Sequence, residues 1–517
     1  MKIKSFIIFS LVFVTMLSAC KDDLVDKYTD PEKATEASIP GFFAAMLNHD
    51  RVRPSYWNVR TMLLISTGVN SQTNYFANSI GKYQMNTSYT AQYWNSFYIN
   101  SNGSGPLGLY RAMETAYAGL SDDEKAEMDI FMQAGKVFVI DMASKMVDLW
   151  GDIPYSEAGS LITSSTIEAA AYDDQEALYT EFISDLGNAA TYFASASTDA
   201  TFSKYDILSS GSIDKWQRYA NSLRLRLLMR ISNSNESTAQ STVTTMLNNS
   251  ASYPLLEDED ILLEPLTDYT NSLHSALVEV NGHYAPDYML NTLMLPYDDP
   301  RIPVMFDKYG TTEDGVFVQN ENYGAMSVSM PSAEASQEYM NYSILDSATF
   351  LMNSKLPGIV MTASEVSFLK AEAYKRWSLG DAQTAFEEGV RESVDFYYYL
   401  NNLNESGLTT LSYPAASEVD DFILTLDYAS KSSAEQLEMI YDQKWLQLGL
   451  LQSIEAWSEY RRTGYPTLTF EDDTKSGYET PATRLLYPDD EKDYNSENYS
   501  SVKSKDNRDT KIFWDVN

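Results

Sequence analysis

The sequence predicts a mostly α-helical protein, and three observations carry that prediction. Apolar residues recur at helical spacing in long blocks, cap residues precede those blocks, and two of the blocks form a helical hairpin with small residues facing large ones. Glu124 to Trp150 sets Met128, Phe131, Met132, Val137, Ile140, Met146 and Val147 at such spacings behind the cap material Ser121-Asp122-Asp123. Asp174 to Phe193 and Asp214 to Ile231 repeat the style. In the latter, Trp216, Tyr219, Leu223, Leu227 and Met229 alternate with Arg218, Arg224, Arg226 and Arg230. Those arginines are expected to form ion pairs on the helix surface with the acidic body.

The hairpin runs from Thr362 to Ser378 and from Asp381 to Leu400, turning at Leu379-Gly380-Asp381. Glu372-Ala373-Tyr374 on its first arm and Ala382, Ala385, Phe386 and Gly389 on its second stack as helices do in tetratricopeptide repeats. No clean 34-residue period runs through the chain. The expected architecture is therefore a tetratricopeptide-like helical scaffold with imperfect repeats. Residues 251–357 lack a sustained helical period and scatter Pro, Gly, Asn and Tyr, so they read as a loop-rich insertion in a helical domain spanning residues 39–517.

Composition narrows the function. The 517 residues are 44% hydrophobic and 21% charged, which excludes a disordered chain. A net charge of −36 repels phosphate, so nucleic acid is not an expected partner and a neutral or cationic ligand suits the surface better. The 37 Tyr supply contact surface as well as core. Enzymatic signals are thin. His49, His274 and His283 show no metal-ligand spacing, and no G-x-S-x-G elbow, phosphate-cradling Gly loop or EF-hand pattern is present. No catalytic residue, metal or cofactor is nominated, although a chance carboxylate pair among 73 Asp and Glu keeps a surface glycoside hydrolase as a lesser alternative.

The N-terminus reads as a secretory signal peptide over residues 1–19: Lys2 and Lys4, then an apolar stretch from Ile7 to Leu17, then Ser18-Ala19. Leu17-Ser18-Ala19-Cys20 looks like a bacterial lipoprotein box, which makes Cys20 the lipid-anchor residue. Acyl chains contribute about 0.8 kcal/mol per buried CH₂, enough when several sit on one residue to hold the protein at a membrane. Residues 20–38 are then a lipidated Cys and a flexible tether, with Lys21-Asp22-Asp23 resembling the acidic tag of surface-exposed outer-membrane lipoproteins.

Four segments carry a family resemblance: DLWGDIPYSEA from Asp148 to Ala158, Asp299-Pro300-Arg301, MTASEVSFLKAEAY from Met361 to Tyr374, and Gln443 to Pro466. RLLYP from Arg484 to Pro488 and Phe513-Trp514-Asp515 agree with them. Together with the lipoprotein box they resemble the SusD/RagB family of outer-membrane nutrient-binding lipoproteins. Read from the residues alone, these motifs are architectural: Gly151 and Pro154 end a helix, and Arg301 pins a loop through a carboxylate or carbonyl. The resemblance implies capture of an oligosaccharide by long irregular loops, delivery to a SusC-like TonB-dependent transporter, and no chemistry on the cargo. Peptide cargo is the alternative that the RagB branch implies, and a lid without affinity of its own is a further one.

Sugar rings pair apolar C–H faces with hydroxyl rims, so their capture needs flat aromatic platforms edged by amide and charged groups. Val69 to Tyr98 is the richest such stretch. Asn74, Tyr75, Tyr83, Asn86 and Tyr89 are its candidates, the last three because the resemblance places ligand contacts just before the helix that starts at Trp94. Trp94 and Tyr98 are assigned to packing. Trp57, Tyr284, Tyr309 and Tyr323 are loop aromatics expected to complete a platform from elsewhere.

Overall fold

Ser38 opens the first helix because its hydroxyl accepts the Gly41 amide at 3.3 Å and Pro40 occupies the first turn, where its missing N–H costs nothing. The structure, a computed structural model, describes residues 38–517 apart from 54, 101–102, 167, 266–271 and 472–474. The signal peptide, Cys20 and nearly all of the tether lie outside the described residues.

The scaffold helices are α1 (Ile39–Leu47), α2 (Thr87–Tyr98), α3 (Pro106–Ala118), α4 (Asp122–Trp150), α5 (Gln175–Phe193), α6 (Ile213–Arg230), α7 (Ala363–Trp377), α8 (Ala382–Asn402), α9 (Ser433–Leu448) and α10 (Ser453–Thr463). A capping box between Ser121 and Glu124 starts α4, and Gly151 at φ +81° ends it. Asp174 and Asp381 cap α5 and α8 by accepting two amides each. Neighbouring helices pack in antiparallel succession, α4 on α5, α5 on α6 and α7 on α8, with α9 and α10 closing against α7 and the π-helical stretch Val59–Gly68. The mostly helical, tetratricopeptide-like architecture expected from the sequence is what the structure has.

The α7–α8 hairpin shows why small residues matter. A Cβ on Gly389 would stand 2.8 Å from Phe368 Cε1, so the two helices approach as closely as they do only because position 389 carries no side chain. Six tryptophans, at 94, 150, 216, 445, 457 and 514, are buried at 1% exposure or less. Each anchors a junction. Trp150 Nε1 donates to Leu486 O at 2.9 Å, Trp514 Nε1 to Asp148 Oδ1 at 2.9 Å, and Trp445 Nε1 to Ser71 O at 2.9 Å. Trp94 is interior, and the Tyr98 hydroxyl donates to Pro154 O at 2.9 Å, so both serve packing.

One expectation needs correction. Arg218 does pair near the surface, with Asp214 at 2.7 Å, but Arg226 and Arg230 are buried. The reason is that the second half of α6 lies between α4, α5 and α7 and has no solvent face. Arg226 grips Glu365 through two bonds of 2.6 Å, and Arg230 meets Glu455 at 2.5 Å and Glu459 at 2.7 Å. Arg224, the fourth, lies across Gly187 and donates to Ile183 O at 3.0 Å. Asp299-Pro300-Arg301 behaves as expected, Arg301 bonding Asp299 at 2.5 Å in the interior and tying the loop to Ser393 and Gln443.

Residues 251–357 contain short elements among loops, including the antiparallel hairpin Gly310–Glu313 with Val316–Gln319 and the pair Phe306–Asp307 with Ile344–Leu345. These put the aromatic residues of the insertion beside the loop that precedes α2.

Candidate functional site

The loop from Asn74 to Asn86 is the hinge of the site. Backbone bonds fasten it to the insertion: Asn78 N donates to Met330 O at 2.9 Å, and Ser332 N to Asn78 O at 3.1 Å. On one flank of this loop Tyr83, Asn86 and Tyr89 line a cavity of about 250 Å³, together with Phe76, Lys82 and Gln84. On the other flank an aromatic run begins.

The cavity mixes ring faces with polar rims. Tyr83 packs edge-on against Phe470 at 5.9 Å, and the Lys82 ammonium lies 5.5 Å from the Tyr83 ring centre. Burial lowers the Lys82 pKa, and Glu471 works against that shift. The Arg60 guanidinium, held by Glu279 at 3.0 Å, covers the Tyr89 ring at 5.1 Å. Asn86 caps α2, its Oδ1 accepting Ser88 N at 3.1 Å and Ser88 Oγ at 2.6 Å. Asn70 is fixed by Ser66 O at 2.6 Å and Ala482 N at 3.2 Å, which stiffens the floor.

The aromatic run climbs from interior to surface. Tyr75 meets Tyr284 at 6.0 Å, Tyr284 meets Tyr339 at 6.0 Å, Tyr339 meets Tyr309 at 5.8 Å, and Tyr309 meets Phe317 at 6.3 Å. Tyr75 and Tyr284 are buried, Tyr339 and Tyr309 are half-buried, and Phe317 is 57% exposed on its hairpin. Tyr323 stands beside the run, half-buried, with Lys308 4.9 Å from its ring centre.

Apart from Asn74, the candidates fall in three groups. Tyr83, Asn86 and Tyr89 converge on one cavity, although α2 begins at Thr87 rather than at Trp94 because Asn86 caps it there, so Tyr89 stands in the first turn of the helix and not in the loop before it. Tyr75, Tyr284 and Tyr309 join one run, with Tyr323 at its side. Trp57 stands apart, 51% exposed and touching Tyr56. Asn74, Tyr75, Tyr83 and Tyr284 are 3–5% exposed, so they are not open platforms; Tyr75 and Tyr284 back the rings in front of them. Asn74 is wedged against Gly68, where a Cβ would come within 1.9 Å of its Oδ1. Tyr339 and Phe317 escaped the sequence reading. For Phe317 a signal existed: the run Val316-Phe317-Val318 beside Gly315 marks a short exposed strand with an aromatic on one face.

Among the described residues, no group of three or more His, Cys, Asp or Glu could hold a metal ion. Nor is any described helix long and apolar enough to cross a membrane.

A helical scaffold that presents aromatic and amide groups on loops defines a binding protein. The chain belongs to the SusD-like family, described as Susd and RagB outer membrane lipoprotein, whose profile matches residues 28–515. This is a family of non-catalytic, nutrient-binding lipoproteins of the outer membrane. Solved structures share the fold. A chitin-binding protein superposes with a TM-score of 0.75 at 24% identity, covering 92% of this chain and 100% of that one. A chitin-binding SusD homolog from Flavobacterium johnsoniae gives 0.65 at 24% identity, covering 93% and 99%. A SusD homolog from Bacteroides thetaiotaomicron gives 0.67 at 21% identity, covering 93% and 99%. A search of curated proteins finds no significant match.

Proposed function

We propose that this lipoprotein captures an oligosaccharide and passes it to a SusC-like TonB-dependent transporter, with Cys20 as its lipid anchor. The observation that carries the reading is the convergence of Tyr83, Asn86 and Tyr89 on one cavity beside the Tyr284–Tyr339–Tyr309–Phe317 run. The half-buried Tyr89, Tyr339 and Tyr309 offer a ring face and a hydroxyl together, which suits a ligand that is apolar on its face and polar at its rim, while the buried Tyr83 and Tyr284 back them. Flanking cations, Lys82 and Arg60, and the amides of Gln84 and Asn86 donate to sugar hydroxyls or ring oxygens without requiring a charged ligand. Two of the similar structures are described as chitin-binding, which supports a glycan as the cargo class.

The test is a binding screen of the chain from Lys21 onward against polysaccharides, oligosaccharides and peptide mixtures, with product analysis on every sample. Saturable retention of an intact glycan is the expected result. Retention of peptides alone, or the appearance of shortened glycans, would overturn it.

A further inference from the structure

Arg51 poses an electrostatic problem that the glycan site does not touch. Its side chain is 9% exposed, yet it meets no carboxylate among the described residues. Nη1 donates to Tyr93 O at 2.5 Å and Ser96 Oγ at 3.0 Å, and Nη2 to Met146 Sδ at 3.1 Å, while Nε has no partner. Arg226, Arg230, Arg301 and Arg462 each grip at least one carboxylate, whereas the buried Arg461 and Arg484, like Arg51, donate to carbonyls and, for Arg461, a hydroxyl. What distinguishes Arg51 is that it lines a cavity while facing one carbonyl, a hydroxyl, a thioether and the Tyr93 and Phe97 rings. Burying an ion without a counter-charge is costly.

The groups around Arg51 do not supply that charge. Asp50, next in the chain, is exposed to solvent. Glu455 is held by Arg230 and Arg226, at 2.5 and 3.7 Å. Burial first, and then Arg51 itself, pushes His49 down to about 3, so that imidazole is neutral. Lys145 adds a second positive charge, shared with Asp141 at 3.0 Å.

Arg51, Arg53 and Lys145 line a cavity of about 80 Å³ together with one carboxylate residue, Glu455, which Arg230 and Arg226 neutralise; the remaining walls are mainly apolar, with Val52, Val59, Leu63 and Leu273 among them. Gln452 is buried in the same wall with its Oε1 unpartnered, and a half-turn of that carboxamide presents N–H instead. We propose that this cavity binds a small monovalent anion, a halide or a short carboxylate such as acetate, whose charge faces Arg51 Nε and Lys145. A single negative charge balances the uncompensated guanidinium. The apolar walls disfavour a sugar acid or a polyanion.

The intact mature protein, exchanged into sodium gluconate, would be titrated with chloride, bromide and acetate at constant ionic strength while its thermal unfolding is followed. Gluconate, with its hydroxylated chain, is a poor match for the apolar walls, so the expected result is a saturable rise of about 1–3 °C with the small anions. A response to chloride and bromide but not acetate assigns a halide, and the reverse assigns a carboxylate. The rise should vanish in Arg51→Met and persist in Lys431→Met, a substitution far from the cavity in sequence. If Arg51→Met does not fold, crystals of the unaltered protein grown in bromide decide instead, with an anomalous peak expected about 3.3 Å from Arg51 Nε. Equal behaviour in gluconate and in the small anions, a response unchanged in Arg51→Met, or no bromide in the cavity would each overturn the proposal.

Discussion

Arg462 and Glu372, 90 residues apart, face each other in a fully buried bidentate pair, with Nη1–Oε1 and Nη2–Oε2 both at 2.7 Å. Lys444 stands 3.6 Å from the same carboxylate, and Glu459 bonds Arg462 at 2.6 Å. This knot ties α7, α9 and α10 together. Removing one partner strands charges that water cannot reach, so Glu372→Gln should destabilise the protein by about 3–5 kcal/mol. Urea unfolding of the two proteins measures the loss, and a difference below about 1 kcal/mol would show that the knot contributes no net stability.

Stability should also fall with rising pH through a separate group. Asp442 is buried, and that burial, reinforced by Glu438, raises its pKa from 3.8 to about 8. A carboxyl raised in the folded state holds its proton more tightly there than in the unfolded chain. Its contribution is fully present below 3.8 and is lost as pH rises through about 8. Asp442→Asn should therefore flatten the decline in unfolding temperature between those limits. A slope that the substitution leaves unchanged assigns the decline to other groups.

The closeness of α7 and α8 makes position 389 sensitive to volume. Gly389→Val drives carbon into the Phe368 ring, 2.8 Å from where the first added atom would sit, and should cost about 1–3 kcal/mol by overpacking. Chemical denaturation checks the value, and restoration of stability by Phe368→Leu in the same chain identifies the clash as its cause.

How much of this was legible in the sequence depends on the range of the interaction. Helix limits came from local signals, and they fall within about two residues of Asp122–Trp150, Gln175–Phe193 and Ala363–Trp377, because caps and apolar spacing act over a few residues. Gly389 was legible as a small position, though its partner Phe368 was not. Arg226 and Arg230 were misread because an Arg-rich helix face resembles a solvated one, and only the packing of α4, α5 and α7 around it reveals the interior. The site divides the same way. Tyr83, Asn86 and Tyr89 are close in sequence and meet at one cavity, whereas the Tyr75–Tyr284–Tyr339 contacts join distant loops whose pairing no periodicity encodes.

Anchoring is expected to rest on Cys20. Cys20→Ser should move the processed protein, freed of residues 1–19, from the membrane fraction to the soluble one, since the acyl chains on Cys20 are what hold it at the membrane. Detergent-phase partitioning of the two proteins measures this, and equal partitioning would exclude acylation at that residue.

The central claim is that glycan is held at the cavity whose wall is formed by the half-buried Tyr89 and the buried Tyr83. Aromatic contacts contribute about 0.5–1.5 kcal/mol each beyond the area they bury, so replacing both tyrosines by alanine should weaken binding by about tenfold or more. Calorimetric titration of the retained glycan into the unaltered chain and the double variant, with circular dichroism confirming equal folding, is the most direct measurement. A tenfold or greater loss with the fold intact is the result predicted; an unchanged affinity in a folded double variant would contradict the account and move the site off this cavity.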